Sequence, residues 1–509
     1  MKNYVFVLLC VCMTIASCTK DEIEIPLPQK ELSKRPYFTK FWISQNNHVS
    51  LNNDYYATIE NDSTIYLFCQ ELETADSIVP SFEGNFISVK VDGQNQFSGV
   101  SIQDFSKIKK YELQDSVGNI AYYDVKIVVF NRTPRVDIYT ENNMEITSKT
   151  EYVNAIFKIS NCPETGAINS QGKIRGRGNA TWSYPKKPYK IKFTEKQSPF
   201  GFPANKDWVL LAEACDRTLL RTAYMCEVSK AANVDYTIRY QHVDLFLNRK
   251  YLGTYIWTDQ IEKAKERVDI EKEGFLIEND GYYNYEPLWF ITDSLRVPFS
   301  FKYPDADGEE IKKDDENYNY IISFMNNCEK ELLLLKEKAE SSNFLSLIDI
   351  NSFAKWYIVA ELTATYDPNS YYVLKNRNSK LKKYPIWDAE WSLGVWPVSA
   401  WGNTPESLLT RIIWKESGYY KYLFNSISFT KEVKKEWNLL RENIPTIKEN
   451  ISKISKSISL SQRSNFYRWP GSGGQTLNVT FDTWEEEVKY INKFFDDRVE
   501  WMDSYINSL

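Results

Sequence analysis

The order of hydrophobic patterns constrains this chain more than any other feature. From residue 36 to Trp257, apolar residues recur mainly in short alternating runs bounded by turn-forming residues. After Gly394 they recur at helical spacing. A period of two gives strands with one buried face, and a period near 3.6 gives helices with an apolar stripe. The chain is therefore expected to be α+β, with a β-rich lobe followed by a helical one. At 509 residues it is too long for one ordinary domain, given a soft prior of ~150 residues per domain.

Residues 36–132 read as all-β. Thr64–Phe68 is β-branched and aromatic, Ile87–Val91 alternates into the hairpin turn Asp92-Gly93, and Gly118-Asn119 leads into Tyr122–Phe130. Such strands and turns predict a β-sandwich. Residues 133–509 then divide at about 300. The first part holds strand candidates Val136–Tyr139, Tyr152–Ile159, Tyr189–Phe193 and Trp208–Leu211, and the hairpin Val243–Leu247 with Leu252–Trp257. Helices are expected there at Arg217–Ala232 and Asp259–Arg267. The second part holds helices at Asp314–Ala339 and Asn351–Thr365, strands at Tyr371–Lys375 and Tyr384–Trp387, and helices near 405–425, 429–459 and 482–507.

The N-terminus carries Lys2, an apolar run from Tyr4 to Ala16, and small residues before Cys18. This reads as a signal peptide over residues 1–17. Ile15-Ala16-Ser17-Cys18 resembles the bacterial lipobox, which implies lipidation of Cys18 and a tether over 18–35. Thr19-Lys20-Asp21-Glu22 is similar to the surface-export signals of Bacteroidetes lipoproteins. The expectation is an outer-membrane lipoprotein at the cell surface, with the periplasmic face as the alternative. No second long apolar run exists, so the lipid is the only expected membrane contact. A net charge of −6 gives no reason to expect nucleic acid. Two histidines, His48 and His242, leave little room for His-based chemistry. Cys69, Cys162, Cys215, Cys226 and Cys328 lack CxxC spacing and read as buried thiols, with one bridge possible.

Three segments carry candidate chemistry. Arg175-Gly176-Arg177-Gly178 precedes Pro185-Lys186-Lys187-Pro188-Tyr189, a glycine loop beside cations that can neutralise phosphate. A tight turn beside basic strands is the competing reading. Asp367 lies in Thr365-Tyr366-Asp367-Pro368-Asn369-Ser370, at a helix-to-strand junction. Asp388 ends the apolar run of Tyr384-Pro385-Ile386-Trp387-Asp388-Ala389-Glu390. Carboxylates at neighbouring strand ends suit a hard cation such as Mg²⁺, or else cap turns and satisfy backbone groups.

The order of these motifs resembles the spore-coat protein H (CotH) kinase family. Matching pieces include Asp207-Trp208-Val209-Leu210-Leu211 and Leu252-Gly253-Thr254-Tyr255 through Ile261, and the likeness runs from about 135 to 505. It implies an atypical two-lobed protein-kinase-like domain with a helical C-terminal part, here behind an immunoglobulin-like sandwich. It also implies ATP, Mg²⁺ or Mn²⁺, and phosphate transfer to a protein or other hydroxyl acceptor, protein or glycan, outside the cytoplasm. By resemblance Lys187 contacts the ATP phosphates, with Lys190 and Lys192 as alternatives. Arg175 anchors the phosphate-side loop, and Asp259 is the acidic partner. Asp367 orients and deprotonates the acceptor, and Asp388 holds the metal. The chain departs from the family where Ser370-Tyr371 replaces His-Asn, which turns the second metal ligand over to Asn369 or Ser370. It departs again where Glu390 replaces an aspartate as a further ligand. A catalytically inactive kinase-like surface binding or adhesion lipoprotein is the alternative, and a carboxylate-pair glycoside hydrolase is a third.

Overall fold

The computed structural model describes residues 35–60, 63–72, 74–129, 133–306, 308–337, 341–365, 367, 370–396, 405–470 and 479–509. The signal segment, Cys18, the tether to residue 34 and Asn369 lie outside the described residues. The architecture is mixed α+β, with sheets first and helices last.

Alternation builds the N-terminal unit. In the strand Ile120–Val129, Ala121, Tyr123, Val125 and Ile127 are buried, while Ile120, Tyr122 and Asp124 face solvent. This strand belongs to a six-stranded sheet, and Tyr37–Ile43 is the centre of a three-stranded one. Phe38, Phe41, Phe82, Tyr111 and Tyr123 fill the unit's core with edge-on ring contacts. Asp92 (φ 51°) and Gly93 (φ 75°) form the expected turn, both in the left-handed region that such a turn demands.

The next seven strands close into a barrel. They are β1 (Arg135–Thr140), β2 (Val153–Ser160), β3 (Ile168–Gly176), β4 (Tyr189–Gln197), β5 (Asn205–Leu211), β6 (Tyr240–Leu247) and β7 (Lys250–Asp259). The order is β1-β2-β3-β4-β5-β7-β6, and a parallel β6–β1 pairing, Arg135 opposite Asp244, shuts it. Closure leaves no bare edge. The interior is solid, filled by Ile138, Phe157, Ile191, Phe193, Trp208, Leu245 and Trp257. The strand patterns announce the strands but not their closure.

The N-terminal unit is fused to this barrel. Its core includes Phe246 and Tyr251 of β6 and β7. The Arg135 guanidinium lies 4.4 Å from the Tyr55 ring and 4.1 Å from that of Phe246, paired with Asp137 at 2.7 Å.

Between β5 and β6 runs α1 (Arg221–Ala231). Beyond the barrel, β8 (Phe275–Asp280), β9 (Trp289–Ile291), β10 (Pro298–Tyr303), β11 (Ser370–Lys375) and β12 (Lys382–Lys383) form a second sheet in the order β9-β10-β8-β11-β12. With it go α2 (Glu316–Glu337), α3 (Ile350–Leu362), which packs on β12, α4 (Ile427–Arg441) and α7 (Trp484–Ser508), while α5 (Ile444–Ile458) lies against α1 and α6 (Ser461–Arg468) against β7 of the barrel. From Ser352 to Leu362, α3 is buried on every side, as suits the central helix of this lobe. Its Glu361 is ion-paired with Arg498 of α7 at 2.8 Å, both without solvent exposure.

Several expected elements differ. Asp259–Arg267 is not a helix: Asp259 ends β7 and an irregular loop follows. Tyr384–Trp387 is not a strand, because Pro385 has no N–H to give a ladder; the pairing stops at Lys383. The 429–459 stretch breaks into α4 and α5 at Asn443, with Pro445 in the first turn of α5. The helix α6 escaped notice altogether. All five described cysteines are buried and unbridged. No helix among the described residues is long and apolar enough to cross a membrane.

Candidate active site

Three loop systems meet between barrel and helices. They are the loop joining β3 to β4 (177–188), the turn after β5 (212–220), and the segments flanking β11 and β12 (Asp367 and 384–394). Glycine shapes the first. A Cβ on Gly176 would overlap the Trp182 ring, and Gly178 (φ 81°) adopts a conformation that favours glycine. The glycines thus let Trp182 fold down onto the loop.

Lys186 is the buried cation of the group, only 3% exposed. Its Nζ donates to Thr254 O at 2.6 Å and to Asn465 Oδ1 at 2.9 Å, and lies 4.7 Å from the Tyr255 ring. Asn465, on α6, also accepts from Thr254 N at 3.1 Å. Gly253 (φ 108°) makes room for this meeting: a Cβ there would come 2.6 Å from Asn465 Oδ1 and 3.2 Å from Lys186 Cε. Burial pushes the Lys186 ammonium down to about 7, against the pull of Glu213, Glu390, Asp244 and Asp216.

Glu213 and Glu390 face one another's charge beside it. Glu213 is 1% exposed. One oxygen accepts from Thr222 Oγ1 at 3.0 Å, and Oε2 is buried without a hydrogen-bond partner. Glu390 accepts from Cys215 N at 2.8 Å. Burial and the neighbouring acids raise both carboxyls, and Lys186 opposes the rise. Asp216 is engaged elsewhere, in a fully buried pair with Arg221. Arg221 in turn donates Nε to Ser392 O at 3.0 Å, which ties the loop carrying Asp388 and Glu390 to α1.

Asp388 reaches solvent, yet protein packs around its carboxyl. Burial, then the charge of Asp367, raise its carboxyl to about 6, while Arg177 pulls it down. Arg177 lies 5.2 Å from the Trp387 ring and feels Tyr372, Asp388 and Glu278. Glu278 of β8 stands opposite Tyr372 of β11 and pairs with Lys302 at 3.0 Å. Glu213 (φ 49°) and Asp388 (φ 65°) are both left-handed non-glycine residues. Such strain persists where surrounding structure over-determines it, and it clusters at functional sites.

Residues 174–502, well over half of the chain, match the family described as CotH kinase protein. The chain belongs to the CotH kinase family. No curated protein matches it. Among solved structures, one from Bacteroides thetaiotaomicron, provisionally described as a glycoside hydrolase, shares 14% identity. That likeness covers 36% of this chain and 53% of the other, with a TM-score of 0.16, too low to bear on fold or function.

Set against the roles that CotH kinase resemblance implies, the structure places Asp388 within electrostatic reach of Asp367 and of Glu390 and separates the other described residues. Lys187 donates to Trp182 O at 2.5 Å and lies 5.1 Å from that ring; its neighbour Lys186 is the lysine among the acids. Lys190 and Lys192 stand on β4 near Asp207, each 3.9 Å from it. Arg175 is bound to Lys149 O and lies 5.1 Å from the Tyr152 ring; the next arginine, Arg177, faces Asp388. Asp259 pairs with Arg239 at 3.0 Å and Arg267 at 3.4 Å and accepts from Tyr236 OH at 2.8 Å; of the acids acting on Lys186, Glu213 acts most strongly. Ser370 starts β11 opposite Asp280. Sequence reasoning missed Lys186, Arg177, Glu213, Glu278 and Asn465. Glu213 left one signal, a lone acid within the apolar stretch Leu211-Ala212-Glu213-Ala214-Cys215.

Proposed function

We propose that this protein is an atypical ATP- and metal-dependent kinase that transfers phosphate to a protein or glycan hydroxyl outside the cytoplasm. The supporting observation is that Lys186, Glu213, Glu390, Asp388, Asp367 and Arg177 form a chain of electrostatic neighbours, Lys186 with Glu213 and Glu390, Glu390 with Asp388, and Asp388 with Asp367 and Arg177. Phosphoryl transfer asks for positioning and charge neutralisation rather than covalent chemistry. In this reading Lys186 holds phosphate oxygens, and Glu213 and Asn465 hold Lys186. Arg177 balances the phosphate side of Asp388, and Asp367 accepts the proton of the acceptor hydroxyl. The donor set fits Mg²⁺ or Mn²⁺. Asp388 is a hard carboxylate whose proton affinity the charge of Asp367 raises, and Mg²⁺ uses one or two carboxylates plus water and phosphate oxygens. Among the described residues no three acids, cysteines or histidines gather round one point, so the nucleotide would complete the shell. When bound, the ion neutralises phosphate charge.

The same proposal treats barrel and helices as the two lobes of the kinase plan and the N-terminal sheets as an immunoglobulin-like spacer. Lipidated Cys18 would hold the whole at the outer-membrane surface. The second reading, an inactive kinase-like binding module, draws on Glu390, whose carboxylate is bound to Cys215 N. Nucleotide binding and phosphate transfer with Mg²⁺ or Mn²⁺, measured for the chain from residue 19 onward beside Asp367→Ala and Asp388→Ala, separate the two. Transfer that both variants lose supports the kinase. Binding without transfer supports the inactive module, and no binding removes the nucleotide reading.

A further inference from the structure

A second concave site lies on the outside of the barrel, where the β4–β5 hairpin meets the loop after β7. It is a cavity of about 110 Å³. Lys196, Asn205, Arg239, Lys265, Glu266 and Arg267 line it. Lys196 and Lys265 are exposed at the rim, and Arg267 forms a buried wall.

Arg267 is held on three sides. Nη1 donates to Glu262 Oε1 at 2.6 Å and Gln260 O at 3.2 Å, Nε stands 3.4 Å from Asp259, and the guanidinium lies 4.7 Å from the Trp208 ring. Its Nη2 is buried without a hydrogen-bond partner. A buried donor left unmade is uncommon and asks for an acceptor. Arg239, beside it, donates Nη2 to Glu266 O at 2.6 Å and shares Asp259 with Arg267. Behind and around the cavity, four cations face the three acids Asp259, Glu262 and Glu266, so one positive charge is in excess. A concave surface lined by two guanidiniums and two exposed ammoniums against a single acid, Glu266, suits a compact oxyanion.

We propose that this cavity binds one phosphate-sized oxyanion, supplied as the free ion or as the phosphoryl group of a larger ligand. The site is independent of the cleft. The test is calorimetric titration of the full chain in detergent with inorganic phosphate, and in parallel with O-phosphoserine. Expected are saturable binding at one ion per chain and about a tenfold weakening in the double variant Lys196→Ala/Lys265→Ala, whose rim positions tolerate change. Arg267→Met should abolish binding, and Lys186→Met, in the cleft, should leave it intact. Binding of O-phosphoserine as well assigns the site to phosphoryl-bearing ligands; binding of phosphate alone assigns it to the free ion. No saturable binding to the unaltered chain overturns the proposal. So does binding that survives the rim double variant while Lys186→Met removes it.

Discussion

Replacing Lys186 and Lys187 separately by methionine distinguishes two adjacent lysines that sequence cannot rank. Lys186 is enclosed with the carboxylates, so Lys186→Met should lower phosphate transfer about 10²–10³-fold, the usual loss for one transition-state contact. Lys187→Met removes a bond to its own loop's carbonyl and should change the rate by about twofold or less. The stability arm is worked from burial. Holding the Lys186 ammonium at about 7 instead of 10.5 corresponds to about 5 kcal/mol of unfavourable charge burial below that pH. Methionine removes this term but also two charge-assisted hydrogen bonds, about 1.5–3 kcal/mol each. The terms nearly cancel, so unfolding by denaturant near pH 6 should differ from the parent by no more than about 2 kcal/mol. The sign of the pH dependence follows from protons bound. Between about 7 and 10.5 the unfolded chain keeps the lysine proton and the folded chain has lost it, so the parent gains stability over the variant as pH rises. An inactive Lys187→Met beside an active Lys186→Met would refute the placement. A parent that loses stability relative to Lys186→Met over that pH window would refute the desolvation argument.

Asp388, raised to about 6, must shed its proton to hold a cation. Mn²⁺-dependent nucleotide binding should therefore rise with pH through about 6 and become pH-flat and weak in Asp388→Asn; calorimetry across that range checks it. Asn465 is a positioning residue. Asn465→Ala should cut nucleotide affinity about tenfold, and Asn465→Asp, which can accept from both Lys186 Nζ and Thr254 N, should restore it where a merely structural role would not. Asp244 accepts from Thr133, Ser461 and Thr254 hydroxyls, Tyr251 OH and Gln70 Nε2. Asparagine cannot receive all five, so Asp244→Asn should cost about 3 kcal/mol in denaturant unfolding.

Local pattern made the strands legible, because alternation such as Ala121-Tyr122-Tyr123-Asp124-Val125 reports burial directly. It also made α7 legible, through an apolar stripe ending in Ile506. Closure of the barrel was not legible, since the parallel β6–β1 contact joins Arg135 to Asp244 across more than a hundred residues of chain. Family likeness pointed to Asp367 and Asp388, and the charge of Asp367 acts on Asp388. Lys187 is implied by its place as the second lysine of Lys-Lys-x-Tyr, whereas Lys186 is the lysine beside the acids; period-two alternation running back from Phe193 through Ile191 and Tyr189 would also put Lys187 on the inner face. Pro188 interrupts the strand before that parity reaches the pair. Asp259 misled for a different reason. An acid ending a strand before charged residues looks available, but Arg239, Arg267 and Tyr236 claim it, and all three partnerships are tertiary.

The N-terminal unit and the Lys186 site share one support. Gln70 from the unit, Thr133 from the connection and Ser461 from the start of α6 all bond to Asp244. Four residues along α6, Asn465 accepts the Lys186 bond, and Lys126 Nζ of the unit meets Tyr467 OH at 2.6 Å on the same helix. A helix of eight residues has little stability of its own in water, so its placement depends on these anchors. Deleting residues 36–129 would expose Phe246 and Tyr251 and remove two anchors at once. The shortened chain should then bind nucleotide about tenfold or more weakly, even though none of the contacts described for the cleft involves the deleted part. Isothermal titration, paired with hydrogen exchange of α6, reads both effects. Full affinity with α6 still protected would mean that the barrel alone holds Asn465 in register with Lys186, and the proposed coupling would fail.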